Sequence, residues 1–488
     1  MVDSSNEQIS RERLDRSLLS GVAWTGVART FSQLSSWAVT VFLARLLSPA
    51  DYGVVASAAV FFGFVRLLTE FGLGTAIVSK ADVRPDQISQ LGSVSIGLGI
   101  LAWSGSAVAS SLIARVLGVP ELASVIPVMG ISTALATASA VPAAVLQKRL
   151  DFRRLSRLDM VRSIMSALVA LLLAVRGLGY WSLVIGEVAA ACTYALALFA
   201  SAPYRLSVPR IAELIDIIRF SSSVLVGRFA WYTYSTSDNV TVSRRLGKAL
   251  LGQYSMAVTL TAMPAEKVSS LILGVTPGIL ARVHNDKEGM ARYLLRITEA
   301  LAILLFPASI GIALVAPDLV PIMMGNQWNG IVPVVQVLSI FIAVRSVMPL
   351  FSQVLVARQR AGTAMWFSIF AALTLPPLFY FATTRGLVAV ASVWSVCFPV
   401  LAFLQARYAY IELGISHRRM FKTLAAPFLA TVLMVIAVRS LQLAMPQTSQ
   451  ILRLIVAIAV GAMTYGAALA GLLWNRRDEL RRLRSMLR

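Results

Sequence analysis

A chain of 488 residues with 57% hydrophobic and only 14% charged residues lacks the polar surface that a soluble domain needs. Long apolar runs recur from one end to the other, which excludes a soluble domain carrying a single anchor and leaves a polytopic membrane protein. The net charge of +21 would suit a nucleic-acid partner in a soluble protein, but in a membrane protein the placement of the charges matters more than their sum.

Residues 1–17 are polar and precede an apolar stretch, 18–46, long enough to cross a bilayer as a helix. No small-residue cleavage site follows a short apolar core, so a retained first helix is expected rather than a signal peptide. Between Leu18 and Ala44 its one charge is Arg29. Further runs predict helices over 52–79, 88–115, 121–147, 153–176, 179–202, 211–245, 250–281 and 290–315. Five more follow at 328–357, 363–384, 387–411, 420–444 and 451–474. The expected fold class is therefore an all-α polytopic membrane protein of about 14 transmembrane helices, with connections too short for an extramembrane domain.

The chain also matches itself at an offset of about 200 residues. Val125-Ile126-Pro127-Val128 pairs with Ile331-Val332-Pro333-Val334, and Val141-Pro142 with Met348-Pro349. Arg176-Gly177-Leu178 pairs with Arg385-Gly386-Leu387, and Arg45-Leu46 with Tyr52 is echoed by Arg245-Leu246 with Tyr254. Six helices per repeat is an even number, so both halves share one orientation, with a substrate site between them. The expected organisation is a segment 1–17, an N-lobe 18–204, a C-lobe 205–412, two more helices in 413–474 and a basic tail 475–488.

Lys and Arg in alternate connections number 28 on the side of the termini and nine on the other, which puts both termini in the cytoplasm. The same asymmetry accounts for most of the +21 with no nucleic acid. In the tail, Leu480, Leu483 and Leu487 share a helical face among arginines, which predicts an amphipathic helix on the anionic cytoplasmic leaflet. Cys192 and Cys397 lie in apolar runs, and His284 and His417 fall in connections. They form no disulfide framework, metal site or catalytic constellation, so no cofactor or metal is expected.

Several motifs carry a family resemblance. Ala44-Arg45-Leu46-Leu47-Ser48-Pro49-Ala50-Asp51-Tyr52-Gly53 followed by Phe71-Gly72-Leu73-Gly74 resembles bacterial polysaccharide (O-antigen, or Wzx-type) flippases. So do Gly179-Tyr180-Trp181-Ser182-Leu183-Val184-Ile185-Gly186 and the segment from Pro264 to Asp286. These flippases belong to the multidrug/oligosaccharidyl-lipid/polysaccharide (MOP) exporter superfamily. The resemblance implies two six-helix lobes around a central cavity plus two extra helices. It also implies alternating access that carries an undecaprenyl-pyrophosphate-linked glycan across the plasma membrane, with other glycan-assembly proteins as possible partners.

Seven basic residues fall inside the predicted spans: Arg29, Arg66, Arg162, Arg219, Arg228, Lys267 and Arg345. Arg66 with Glu70, and Asp159 with Arg162, are spaced to neutralise each other on one helix. Arg29, Arg228 and Arg345 have no such local partner. Arg29 lies 16 residues before Arg45 and Arg228 lies 16 before Arg244, so they occupy matching positions in the two repeats. A central arginine costs about 2.5–3.5 kcal/mol to insert. A pyrophosphate would offset that cost, because guanidinium groups bind phosphate oxygens in bidentate fashion.

Arg29 and Arg228, joined by Arg345, Arg66 and Lys267, are thus the expected substrate-binding set. Asp238, Glu70 and Glu266 are candidates for coupling to Na+ or H+, as intramembrane carboxylates commonly are. Glu187 reads as a helix–helix hydrogen bond, and Pro142, Pro264, Pro277, Pro307 and Pro349 as kinks or hinges. Trp231, Tyr232 and Tyr234 suit sugar stacking or an interfacial belt equally well. Two other functions fit less well. A drug/cation antiporter wants an acidic lobe pocket without unpaired arginines. A membrane glycosyltransferase or polymerase wants acids in substantial outward loops, where only Asp51, Glu121 and Asp318 are scattered singly.

Overall fold

The computed structural model describes residues 37, 39–69, 77, 84–210, 225–282, 286–445 and 448–473, which are helical almost throughout. The last two turns of the first helix, α1 (39–46), lead into α2 (Pro49–Thr69), α3 (Pro85–Leu117), α4 (Leu122–Lys148), α5 (Phe152–Val175) and α6 (Tyr180–Ser201). Then come α7 (Leu225–Leu246), α8 (Lys248–Arg282), α9 (Lys287–Met324), α10 (Val332–Arg345), α11 (Met348–Ala357) and α12 (Ala361–Ala382). The chain continues through α13 (Leu387–Leu413), which contains a π-helical segment Val393–Cys397, to α14 (His417–Ala444) and α15 (Gln450–Leu472). Among the described residues, 10 helices are long and apolar enough to cross a membrane.

The first resemblance motif is a helix start. Ser48 and Asp51 cap α2 reciprocally: the Ser48 amide donates to Asp51 Oδ2 at 2.9 Å, and the Asp51 amide donates to Ser48 Oγ at 3.3 Å. Pro49 fits the first helical position, where its missing N–H costs nothing. The other carboxylate oxygen of Asp51 accepts from the Tyr180 amide at 2.9 Å, at the first turn of α6. The two motifs, 132 positions apart at Ser48 and Tyr180, are therefore two halves of one joint. Gly179 precedes that turn at φ +53°, a conformation that favours glycine.

Several predicted spans need correction. The helix expected at 290–315 runs on to Met324, through Pro307, Pro317 and Pro321. Proline deprives the carbonyl four residues earlier of its donor, and such a helix persists in a membrane only where a neighbour supplies one. Here Tyr465 Oη donates to the Ile303 carbonyl at 2.7 Å, and Gln336 Nε2 to the Ala313 carbonyl at 3.3 Å. These are the carbonyls that Pro307 and Pro317 leave open. In contrast, the single helix expected over 328–357 is three pieces: a 3-10 turn Asn326–Ile331, then α10, then α11 starting at Met348-Pro349. Residues 18–36, 38, 70–76, 78–79, 211–224 and 474 of the predicted spans, with the segment 1–17 and the predicted tail 475–488, lie outside the described residues.

Contacts divide the chain into two compact units. Unit 1 takes in Met1–Tyr232 with Ser243–Gly252, and unit 2 takes in Thr233–Val242 with Gln253–Arg488. The main core of unit 1 packs Val54, Ala58 and Phe62 of α2 against Ala114, Leu117, Leu122, Ile126 and Val184. A smaller cluster sets Leu43 and Leu47 on Ala170 and Ala174 of α5. Also in unit 1, the starts of α2 and α8 cross closely. A Cβ added at Gly53 would collide with the Lys248 carbonyl, and one at Gly252 with the Pro49 carbonyl. Each glycine sits four residues after the carbonyl its own segment presents, so the contact is reciprocal.

Two of the cores among the described residues lie in unit 2. Met290, Leu294, Leu350, Val354, Ala406 and Tyr410 form one. The other joins Leu314 and Val315 of α9 to Met434, Val438 and Tyr465 of the last two helices.

Candidate functional site

Asp238 on α7 is a charged side chain at 3% exposure, deep within unit 2. Its Oδ2 accepts from Tyr254 Oη at 2.8 Å and from Trp394 Nε1 at 2.7 Å. Its Oδ1 accepts from the Asn239 amide at 2.7 Å and from Asn239 Nδ2 at 3.2 Å. A carboxylate taken out of water needs such donors, since an unpaired buried charge costs several kcal/mol. Trp394 lies in the π-helical segment of α13; such single-turn insertions re-aim side chains and recur at functional sites.

The Trp394 indole in turn stacks on Phe341 at 4.7 Å between ring centroids, with the planes 28° apart. Over the same Phe341 ring, Arg345 Cζ lies 5.7 Å from the centroid, within cation–π range. Arg345 is exposed at the last turn of α10 and within electrostatic reach of Asp238. The fold thus joins a member of the expected substrate set to a member of the expected coupling set, through two aromatic rings.

The other arginines belong to unit 1. Phe64 of α2 packs against Phe229 of α7 at 5.5 Å, and Tyr232 Oη donates to the Val60 carbonyl at 2.5 Å. Arg66 and Arg228, both exposed, flank this joint, two residues past Phe64 and one before Phe229. Arg228 has no ion pair among the described residues. Trp231 is 49% exposed, whereas the Tyr232 hydroxyl is engaged by the backbone. Glu266 is exposed on α8, Arg29 and Glu70 lie outside the described residues, and the Lys267 side chain does as well.

Residues 42–333, more than half of the sequence, match the family described as polysaccharide biosynthesis proteins. The chain belongs to that family. It is 25% identical over 476 residues to the succinoglycan biosynthesis transport protein ExoT of Rhizobium meliloti (strain 1021), covering 96% of this chain and 95% of that one. Its fold matches the lipid II flippase MurJ in an inward closed conformation, with a TM-score of 0.73 at 13% identity over 93% of this chain and 99% of that one. It also matches an inward-facing MATE multidrug transporter of the MOP superfamily, with a TM-score of 0.63 at 15% identity over 78% and 94%.

In this multi-pass member of the polysaccharide biosynthesis family, three acids expected as isolated loop residues each have a structural partner. Asp51 holds the Tyr180 amide, and Glu121 is ion-paired with Lys248. Asp318 is inside α9, 2% exposed, and takes both Nε and Nη2 of Arg453, the Nε contacts at 2.9 and 3.0 Å. The pairing of Asp159 with Arg162 along one helix is corrected as well: Arg162 Nη2 instead donates across to Glu187 Oε1 at 3.4 Å. Glu187 thereby makes the helix–helix bond expected of it.

Sequence reasoning missed Tyr254 and Trp394 as partners of Asp238. Tyr254 carried a signal, since it echoes Tyr52 in the repeat. Trp394, 156 positions from its acceptor, carried none beyond being an indole donor in an apolar run.

Proposed function

We propose that the protein is a flippase that carries an undecaprenyl-pyrophosphate-linked oligosaccharide from the cytoplasmic to the outer leaflet of the bacterial plasma membrane, for surface polysaccharide assembly. The family and the transport role of a relative covering nearly its whole length support the class. The observation that carries the mechanism is the chain Arg345–Phe341–Trp394–Asp238. It connects a guanidinium able to meet a pyrophosphate with a carboxylate able to take a proton or Na+. In this reading Arg29, Arg66, Arg228, Lys267 and Arg345 hold the phosphates, while Asp238, aided by Glu70 and Glu266, couples the cycle to the ion gradient.

The fourteen-helix count, the two lobes rocking about a central cavity and cytoplasmic termini complete the reading, with the basic tail on the anionic leaflet. The reciprocal Gly53 and Gly252 contacts support the two-fold relation between the repeats. Arg345 beside Asp238 speaks against a cation-drug antiporter, which would want that acid without a basic neighbour. Asp51, Glu121 and Asp318, each held in a structural bond, speak against a glycosyltransferase.

The test replaces Arg29 and Arg228 singly by alanine in cells and compares surface glycan with membrane-inserted protein. Loss of glycan at unchanged insertion is expected; normal export by both variants overturns the site.

A further inference from the structure

Unit 1 carries a polar concavity that none of these roles uses. Between α1, α5 and α6 lies a cleft of about 460 Å³, lined by Thr40, Asp159, Arg162, Ser163, Ser166 and Glu187 among Val, Leu and Ala. That volume is in the range of small-ligand pockets, which hold a few placed polar groups on an apolar wall. Gly186 lets α6 sit close on α5: a Cβ there would meet the Ala170 Cβ at 3.0 Å and the Ser166 carbonyl at 3.1 Å. The neighbouring Glu187 is thereby placed opposite Arg162.

The charges in this cleft are arranged unlike a structural ion pair. Arg162 reaches Glu187 at only 3.4 Å, against about 2.7–2.9 Å for a strong charge-assisted bond. Both side chains stay open, at 43% and 40% exposure. The Arg162 Cζ lies 5.6 Å over the Tyr194 ring, and Tyr194 and Asp159 are within electrostatic reach of each other. The Arg162 guanidinium has five N–H donors and the Glu187 carboxylate about four acceptor sites, and the one contact between them leaves most of the capacity of this pair open.

The ligand class follows by elimination. A metal cation would face the guanidinium in the same wall, and a phosphate would face two carboxylates. A neutral ligand dense in neighbouring hydroxyls meets neither objection, because hydroxyls donate to the carboxylates and accept from the guanidinium. We propose that this cleft is a glycan subsite, in which Asp159, Arg162 and Glu187 bind the hydroxyls of the transported sugar. The sugar's identity rests on the flippase reading; the cleft's chemistry does not.

The test uses the full-length protein in lipid nanodiscs with Cys192 and Cys397 replaced by serine and Ser166→Cys as the reporter. The probe is the free oligosaccharide released by mild acid from the host's own lipid-linked repeat unit. At roughly ten times its Kd the probe is expected to slow maleimide labelling of S166C about tenfold. The protection should vanish with Arg162→Ala or Glu187→Ala, weaken with the isosteric Glu187→Gln, and not change when sodium chloride replaces choline chloride. Protection by sodium instead of the oligosaccharide, or by neither, overturns the proposal.

Transport of the lipid-linked repeat into proteoliposomes is measured in parallel. Transport with S166C unprotected removes the subsite and keeps the flippase; protection without transport keeps the subsite and removes the flippase.

Discussion

Asp238 in unit 2 and Glu187 in unit 1 are both carboxylates on helices of a membrane protein, yet they stand in opposite surroundings. Asp238 is closed off and takes four hydrogen bonds from three residues. Glu187 is two-fifths exposed, shares one long contact with Arg162 and borders an open cleft. A group that must change its charge state without leaking ions profits from burial, because every donor around it is worth more in a low dielectric. A group that must meet a hydroxylated ligand has to keep its lone pairs free until the ligand arrives. Burial and satisfaction, more than residue type, separate the two roles proposed for these acids.

That contrast can be broken by substitution, and the pair Asp318–Arg453, closed at its carboxylate, sets the upper end. Arg453→Ala leaves a 2%-exposed carboxylate without its partner, so thermal unfolding in detergent should reveal a loss of about 3–5 kcal/mol. Restoration of most of that loss by the double variant with Asp318→Leu would identify the cost as the stranded charge. Next, Trp394→Phe keeps a ring against Phe341 but removes one donor from Asp238. The expected loss is about 1.5–3 kcal/mol, with transport reduced alongside. An unaltered unfolding temperature would mean that the indole bond contributes nothing to holding Asp238.

Arg162→Ala marks the other side of the contrast. Its exposed, long contact should be worth less than about 1 kcal/mol, so stability should stay near that of the parent. A loss as large as that of Arg453→Ala would make the cleft a structural ion pair.

The smallest effect is expected at Glu121, in the connection between α3 and α4. Burial opposes its ionisation, but the hydrogen bond and charge of Lys248 outweigh that and hold the carboxyl below its ordinary range. Its contribution is therefore present above the ordinary carboxylate range and is lost as the pH falls through the lowered folded value. Lys248→Met should lower stability at neutral pH by under about 1 kcal/mol and leave it unchanged at the acid end, so that the acid limb of a stability-versus-pH curve flattens. An unchanged acid limb would show that the pair carries no linkage.

Much of the architecture was legible in the residues. Apolar run length placed α3 to α6 and α12 to α15 within a few positions, because a span must satisfy its own backbone and fill a fixed thickness. Proline misled in both directions. The span predicted to end at 315 runs past Pro317 and Pro321, and donors on other helices fill carbonyls that prolines leave open: Gln336 serves Ala313, and Tyr465, 162 positions on, serves Ile303. Pro349 read as a hinge within one helix, and it instead begins a new one.

For the site, the sequence by itself determined which residues were costly: arginines and carboxylates in apolar runs, whose insertion energy is a local property. Whom each one meets was decided only by the tertiary structure. Arg162 chose Glu187 over Asp159 on its own helix, and Asp318 found Arg453 across 135 positions. Asp238 is held by an indole that no spacing rule connects to it. Partner choice depends on how the packed helices are rotated and aligned against one another. That geometry is set by the summed contacts of many side chains, none of which carries it alone.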